Sequence, residues 1–410
     1  MAKKEQSATR RTYLKSGLAV AAGGLLAGCT GTSGEETTTD SESTATATST
    51  SEPTTEQTTE SADDGDSYTV SMAPMGNVEF DGVPETIFTR LTHHAGMAFA
   101  LGHGDAVNAM HAPDYYDALW NQFVARLDGV SLDWSGLYSS WEPTKEKLYE
   151  LDSDVHLADP ASVAALGSWG EEDLEEIEQN VAPWFGNTFS DRHQSPPEEW
   201  ADDYEYYTLW QIFEKVAQVF QAEARYDALA TVHDDLVQTI SSNLPPKDER
   251  PTAVMLGTSD FETIYAYDAN HPGYLTAHTR PLGVQTAFGD DFESGSTVDF
   301  ETLLEADPDV ILSLGGMHPT TDMVATRKAF NDDPVGSKIS AVKNGRIHAQ
   351  GARYQGPILN LFQIEMTAKQ LYPDQFGAWP TYEEGPYPEI PVEEQLFDRQ
   401  RVADIINGDF

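Results

Sequence analysis

Cysteine is almost absent from this chain: Cys29 stands alone among 410 residues. No intrachain disulfide is therefore possible, and the fold must rest on a packed core. Lysine and arginine are also scarce, 24 against 68 Asp and Glu, for a formal charge of −44. Residues 1–28 hold five Lys/Arg and one Glu, so the chain from Cys29 onward is near −48, with 19 basic and 67 acidic residues. Such a surface repels nucleic acid and anionic headgroups, which excludes a nucleic-acid function. The acids are spread along the whole chain, as expected of a halophile's protein rather than of an acidic partner-binding segment. Catalytic signatures are missing as well. There is no GxSxG (Gly167-Ser168-Trp169-Gly170 has the wrong spacing), no HExxH, no P-loop and no second cysteine for a redox pair. Gly102-His103-Gly104 lacks the third glycine of a dinucleotide loop. An exported hydrolase with scattered catalytic residues is the remaining enzymatic alternative. No Asn-x-Ser/Thr sequon occurs.

The chain opens with Lys3, Lys4, Arg10, Arg11 and Lys15, then an apolar stretch over 17–28 too short to span a bilayer. Arg10-Arg11 in RRTYLK looks like a twin-arginine export signal. Leu26-Ala27-Gly28-Cys29 matches a bacterial-type lipobox, in which cleavage leaves Cys29 as a lipid-carrying N-terminus. Residues 1–28 are thus expected to be a signal peptide, with the protein lipid-anchored on the extracellular face of the membrane. Residues 29–67 are mostly Thr, Ser, Glu, Asp, Gly and Ala and bury too little apolar surface to order, so they read as a disordered tether. As a flexible coil the tether would span about 35 Å.

The longest periodic stretch is 204–244. Leu209, Ile212, Phe213, Val216, Val219 and Phe220, then Leu229, Val232, Leu236 and Ile240, recur at steps of three and four, and no Gly or Pro intervenes before Pro245-Pro246. The pattern predicts one linking helix, a strut of roughly 50 Å. Before it, 68–203 alternates short strands and helices: a hairpin over 68–80 closing at Asp81-Gly82, strands at 85–90, 106–110 and 154–158, and helices at 95–101 and 144–150. After it, 245–377 shows strands at 252–256, 310–314 and 346–349, a tight turn at 342–345, and helices at 300–306 and 358–371. This alternation predicts an α/β protein of two lobes with small parallel sheets. Residues 378–410, rich in Pro, Tyr and Glu, read as an extension wrapped on the surface. Ligands of open parallel sheets bind beyond the carboxyl ends of the strands, here His93, His94, His111 and Asp159 in one lobe and His318 in the other.

The segments EKLYELDSDVHLADP (146–160), FETLLEADPDVILSLGG (300–316) and DPVGSKISAVKNGRIHA (333–349) resemble the substrate-binding proteins of ABC importers for ferric siderophores, haem and cobalamin, here of haloarchaeal type. The resemblance covers about 84–373 and implies two α/β lobes joined by one rigid helix that close little on the ligand. It implies a binding protein, monomeric and without catalysis or cofactor, whose partners are an ABC permease and its ATPase. The permease would be docked through Glu146 and Glu301, which match the family's glutamates at the starts of two helices. An iron chelate suits a shallow cleft lined by aromatics and an arginine, and Arg353 is the candidate cation. Tyr354, Trp141 and Tyr138 would stack on the chelate, with His94 and His318 lining opposite lobes. A bare Zn²⁺ or Mn²⁺ held by histidines such as His93, His111, His271, His278 and His318 is the alternative ligand, as are haem and cobalamin.

Overall fold

The structure is a computed structural model that describes residues 67–258, 261–289 and 291–410. The expected signal peptide, Cys29 and all but the last residue of the tether lie outside the described residues. Strands β1 (Tyr68–Met72) and β2 (Gly76–Phe80) form an antiparallel hairpin, with Tyr68 opposite Phe80. Its turn is 73–75, ahead of the left-handed Gly76 (φ 71°), and not Asp81-Gly82. There follow β3 (Ile87–Thr89), α1 (Thr92–Ala100), β4 (Val107–Met110), α2 (Pro113–Val124), β5 (Tyr138–Ser139), α3 (Lys145–Leu151), β6 (Val155–Leu157), α4 (Pro160–Ala164), α5 (Glu171–Asn180) and α6 (Glu198–Ala201). The first sheet has the order β5-β4-β3-β6, all parallel. Its inner strand β3 is buried throughout, as a parallel strand covered on both faces must be.

The stretch read as one rod is two helices, α7 (Leu209–Val219) and α8 (Glu223–Asn243). The chain reverses between them. Trp210 lies 4.3 Å from His233 and Phe213 5.3 Å from Tyr226, ring centre to ring centre, so the helices run back along each other. Gln221 takes the left-handed conformation (φ 49°) at the reversal. The physical reason is visible in the stripe itself: it lapses over Gln221–Ala228 and resumes only at Leu229. The first half packs on β1 and α1, the second on α14 and α12 (ranges below). Helix α8 alone leads into the second lobe, and its 21 residues span about 30 Å.

The second lobe holds β7 (Thr252–Gly257), β8 (Ile264–Asp268), β9 (Gln285–Thr286), β10 (Thr297–Val298), α9 (Phe300–Ala306), β11 (Val310–Ser313), α10 (Met323–Asp332), α11 (Ser340–Lys343), β12 (Ile347–Ala349), α12 (Pro357–Leu371), α13 (Pro373–Phe376) and α14 (Arg399–Asn407). Short helix α11 takes up the first half of the turn expected at 342–345, and the chain turns at Asn344 and the left-handed Gly345 (φ 67°). Strands β7, β11 and β12 are parallel, whereas β8 and β10 extend the edge antiparallel. The two lobes repeat one device. Helices α3 and α9 are each N-capped by a side chain (Thr144, Asp299) and end on a left-handed aspartate, Asp152 or Asp307. Asp154 and Asp309 then accept backbone N–H bonds from the head of a neighbouring strand segment, Thr86 (2.8 Å) and Thr252 (2.9 Å).

One continuous hydrophobic core includes residues of both lobes. Helix α12 is buried along its whole length, and it meets α1 of the first lobe where Gly96 faces Gly356. A Cβ on Gly96 would stand 3.1 Å from the Gly356 Cα and 2.1 Å from Trp120. The C-terminal extension is part of this core and not a surface wrap: Tyr387, Val402, Ala403 and Ile405 are fully buried. Buried Glu365 on α12 accepts from Arg399 (2.6 Å), Tyr387 (2.8 Å) and the Leu396 amide (2.6 Å). No helix among the described residues is long and apolar enough to cross a membrane.

Candidate ligand-binding site

The carboxyl ends of the two sheets face each other. The Thr92 hydroxyl, just past β3, donates to the Tyr354 carbonyl (2.9 Å), just past β12. Tyr115, at the head of α2, stacks on His318 beyond β11 with ring centres 4.1 Å apart and planes 6° apart. Both contacts join segments that follow parallel strands, on the side where open α/β sheets hold ligands.

From the second lobe come Arg353, Tyr354 and His318. The Arg353 guanidinium lies 4.4 Å over the Tyr267 ring and 5.5 Å from Tyr354. Its Nε is buried without a hydrogen-bond partner, and no ion pair engages it among the described residues. A guanidinium held by aromatic faces and left with free donors is prepared for an anionic acceptor. His318 is 6% exposed, with Nδ1 2.8 Å from the Thr320 hydroxyl and the Tyr115 backbone as its other polar neighbour.

From the first lobe comes Trp141, 41% exposed at the end of β5. Its carbonyl accepts from the Arg90 Nε (3.1 Å), the Arg90 guanidinium lies 5.1 Å from its ring, and His111 packs 4.6 Å away. Burial drives the His111 pKa down to about 4, and neighbouring Arg90 adds to it, so this imidazole is neutral. Tyr116 links the two sides: its ring is 5.7 Å from His111, and it lies near enough to Tyr354 and Arg353 for their charges to act on it. Burial first, then these tyrosines, raises the Tyr116 pKa, and burial raises that of Tyr354, so both phenols keep their protons and remain donors.

The structure thus brings Arg353, Tyr354, Trp141 and His318 to one place, but not Tyr138 or His94 in the roles expected. Tyr138 packs against the core beneath α3 and α5, with the Lys147 ammonium 5.1 Å from its ring. It sits on β5 three residues before Trp141, so the two side chains leave the strand in different directions. His94 is fully buried on α1, 4.0 Å from His93, which stacks at 4.7 Å on Tyr274. Such a ring supports the wall of the cleft and offers nothing to its mouth. Arg90, Tyr115 and Tyr116 are contributions that the sequence reading passed over. The signal was present: Arg90 ends the segment ETIFTR, and Tyr115-Tyr116 follows the strand end at His111. Among the described residues no three His, Cys, Asp or Glu side chains are grouped as metal ligands. Glu146 and Glu301 are both exposed, each in the first turn of its helix, α3 in one lobe and α9 in the other.

The sequence profile of a family described as periplasmic binding protein matches residues 139–354, more than half of the chain. No curated protein matches. Solved structures share the fold at low identity. The petrobactin-binding protein YclQ from Bacillus subtilis superposes with a TM-score of 0.53 at 15% identity, covering 75% of this chain and 99% of its own. The catecholate-siderophore binding protein VctP from Vibrio cholerae gives 0.51 at 16%, covering 75% and 99%. The iron-uptake ABC transporter substrate-binding protein PiuA from Streptococcus pneumoniae gives 0.50 at 17%, covering 74% and 98%. The profile match and the two sheets facing each other across one cleft agree: the chain belongs to the periplasmic binding protein family.

Proposed function

We propose that this protein captures a ferric siderophore, an anionic iron(III) chelate, in the cleft between its lobes and hands it to an ABC importer. The observation that carries the reading is Arg353: a half-buried guanidinium with an unpartnered Nε, sandwiched by tyrosines in a chain crowded with acids. Asp191 lies near enough to feel the Arg353 charge but makes no ion pair with it, so donors of this guanidinium remain for an anion supplied from outside. Trp141 and Tyr354 give flat faces for the chelate's aromatic or hydroxamate arms. No step of chemistry is required; affinity and docking are the mechanism. Solved structures of the same fold that are described as siderophore-binding or iron-uptake proteins support the ligand class. The lack of a grouped set of metal ligands among the described residues favours a chelate over a bare cation.

Glu146 and Glu301, exposed one per lobe, are proposed to dock on the permease, whose ATPase drives uptake. Export by the twin-arginine route and a lipid on Cys29 would hold the protein, as a monomer, outside the membrane. The test is a tryptophan-fluorescence titration in multimolar salt with a ferric hydroxamate or catecholate, set beside Zn²⁺ and Mn²⁺. Saturable quenching by the chelate alone, weakened at least tenfold by Arg353→Ala with the melting temperature unchanged, is expected. Equal affinity in Arg353→Ala would move the site elsewhere, and a response to the bare ions alone would make this a metal-ion binding protein.

A further inference from the structure

A cavity of about 550 Å³ opens beside α7, with Tyr274 in its wall and none of Arg353, Tyr354, Trp141 or His318 lining it. Its size lies in the range of small-molecule sites. Residues of both lobes line it: Arg192, Tyr206 and Trp210 from the first lobe and the linking hairpin, Asn270 and Arg280 from the second. Its charge sets it apart. None of its sixteen lining residues is acidic and two are arginines, in a chain where Asp and Glu outnumber Lys and Arg 68 to 24. Four other cavities of the protein each include acids in their walls, among them Asp81 and Asp154 in one and Glu171 in two others.

Neither arginine is used structurally. Both are exposed, and neither guanidinium has an ion-pair or hydrogen-bond partner among the described residues. The Arg192 guanidinium lies 3.7 Å over the Tyr206 ring, which fixes its plane while leaving its N–H edge free. At that edge a carboxylate or phosphate accepts two parallel hydrogen bonds. The first turn of α7, an 11-residue helix, forms part of the same wall and adds its partial positive charge. The Trp210 ring, paired with neutral His233, supplies an apolar surface.

We infer that this cavity is a second binding site, separate from the chelate cleft, for a small oxyanion-bearing solute: a di- or tricarboxylate or a phosphate held between Arg192 and Arg280. Because its walls come from both lobes, an occupant bridges them. The inference does not rest on the iron-chelate reading.

The test is isothermal titration calorimetry of the full protein with citrate, succinate and inorganic phosphate, at one fixed salt concentration. The same titrations are run on Arg192→Ala, Arg280→Gln and, as a control for the cleft, Arg353→Ala. One equivalent of anion is expected to bind wild type, with affinity at least tenfold weaker in either of the first two variants and unchanged in Arg353→Ala. Both substituted side chains are exposed, so matching thermal melts are expected to show the fold intact. Citrate or succinate preferred over phosphate would identify a carboxylate ligand, and the reverse a phosphate. The inference is overturned if none of the three anions binds, if Arg192→Ala and Arg280→Gln bind as wild type does, or if only Arg353→Ala loses the anion.

Discussion

Mild acid should unfold this protein, and the reason lies in four histidines. His93, His94, His156 and His278 are all fully buried. Neither ring nitrogen of His93 makes a hydrogen bond, His94 has only the Leu157 backbone as a polar neighbour, too poorly placed for a full bond, and His156 and His278 each keep one nitrogen unpartnered. The bonded nitrogens meet the Ala182 carbonyl (3.1 Å) and the Gln355 amide (2.7 Å). Burial, the largest cause in each case, drives His94 and His278 down to about 3, His156 to about 4 and His93 well below its ordinary value. All four are therefore neutral in the fold. In the unfolded chain they would take up protons near pH 6.5.

The sign follows from linkage. Below pH about 6.5 the unfolded chain binds these protons and the native state does not, so stability falls as pH falls, until the folded pKa values are reached. Each histidine contributes about 1.4 kcal/mol per pH unit, and four together about 5–6 kcal/mol per unit. A domain with roughly 5–15 kcal/mol in hand loses its native state about one to three units below pH 6.5. Two effects oppose this. Protonating surface carboxylates relieves the repulsion of so acidic a chain, and buried Asp159 and Asp191, raised chiefly by burial, take up protons more readily folded than unfolded. Ordinary carboxylates titrate near pH 4, so between pH 6.5 and 5 the histidines dominate. Thermal melts by circular dichroism at pH 7.5, 6.5, 5.5 and 5.0, at constant ionic strength, check this. The melting temperature should fall steeply below pH 6.5, the more so because His111, His193 and His348 are also lowered to about 4, and His94→Gln should make the pH slope shallower. A melting temperature that is flat or rising over that interval would refute the reasoning.

At the α7–α8 reversal, Gln221→Gly should leave stability unchanged or raise it by up to about 1 kcal/mol, because glycine adopts the left-handed conformation without strain; in one continuous helix the same change would cost about 1 kcal/mol. Chemical denaturation separates the two. Arg399→Met strips buried Glu365 of its ion-pair partner, and should lower stability by about 3–5 kcal/mol, read as a large drop in the denaturation midpoint. Glu146→Lys and Glu301→Lys, both at exposed helix starts, should leave chelate affinity as in wild type and abolish uptake in a cell transport assay. Normal uptake in both would remove them from the permease interface.

The sequence made the strands of both parallel sheets legible because each is a short apolar run closed by a polar or glycine-bearing loop, as in VILSLGG. Helices α3 and α9 were legible as short runs, 144–150 and 300–306, set directly ahead of apolar strands. The hairpin of α7 and α8 was not, since no Gly or Pro marks the reversal. Only a lapse in the apolar stripe does so, and a lapse is a weaker signal than a breaker. The role of α12 was hidden for the opposite reason. It carries Asn360, Gln363, Glu365, Lys369 and Gln370, polar residues that suggest a solvated face, yet every position is buried. The network reaches distant parts of the chain: Trp210 donates to Asn360 (2.9 Å), and Gln363 donates to nearby Gln355 (2.9 Å), which in turn meets His278. No periodicity encodes such a network.

A local cause moves His94 away from the position expected of it. Spacing alone puts His94 at the end of a strand, where a ligand belongs, but α1 begins at Thr92 and turns the ring inward against His93. Arg90, two residues before that helix, is the last position on the strand side and reaches Trp141 and Ser162 instead. The consequence reaches function. With α1 and α12 touching through Gly96 and Gly356, and one core running through both lobes, the lobes are not free to swing widely. On the function proposed above, ligand selection would then fall to side chains at the rim, Arg353, Tyr354 and Trp141, rather than to a large closure of the fold.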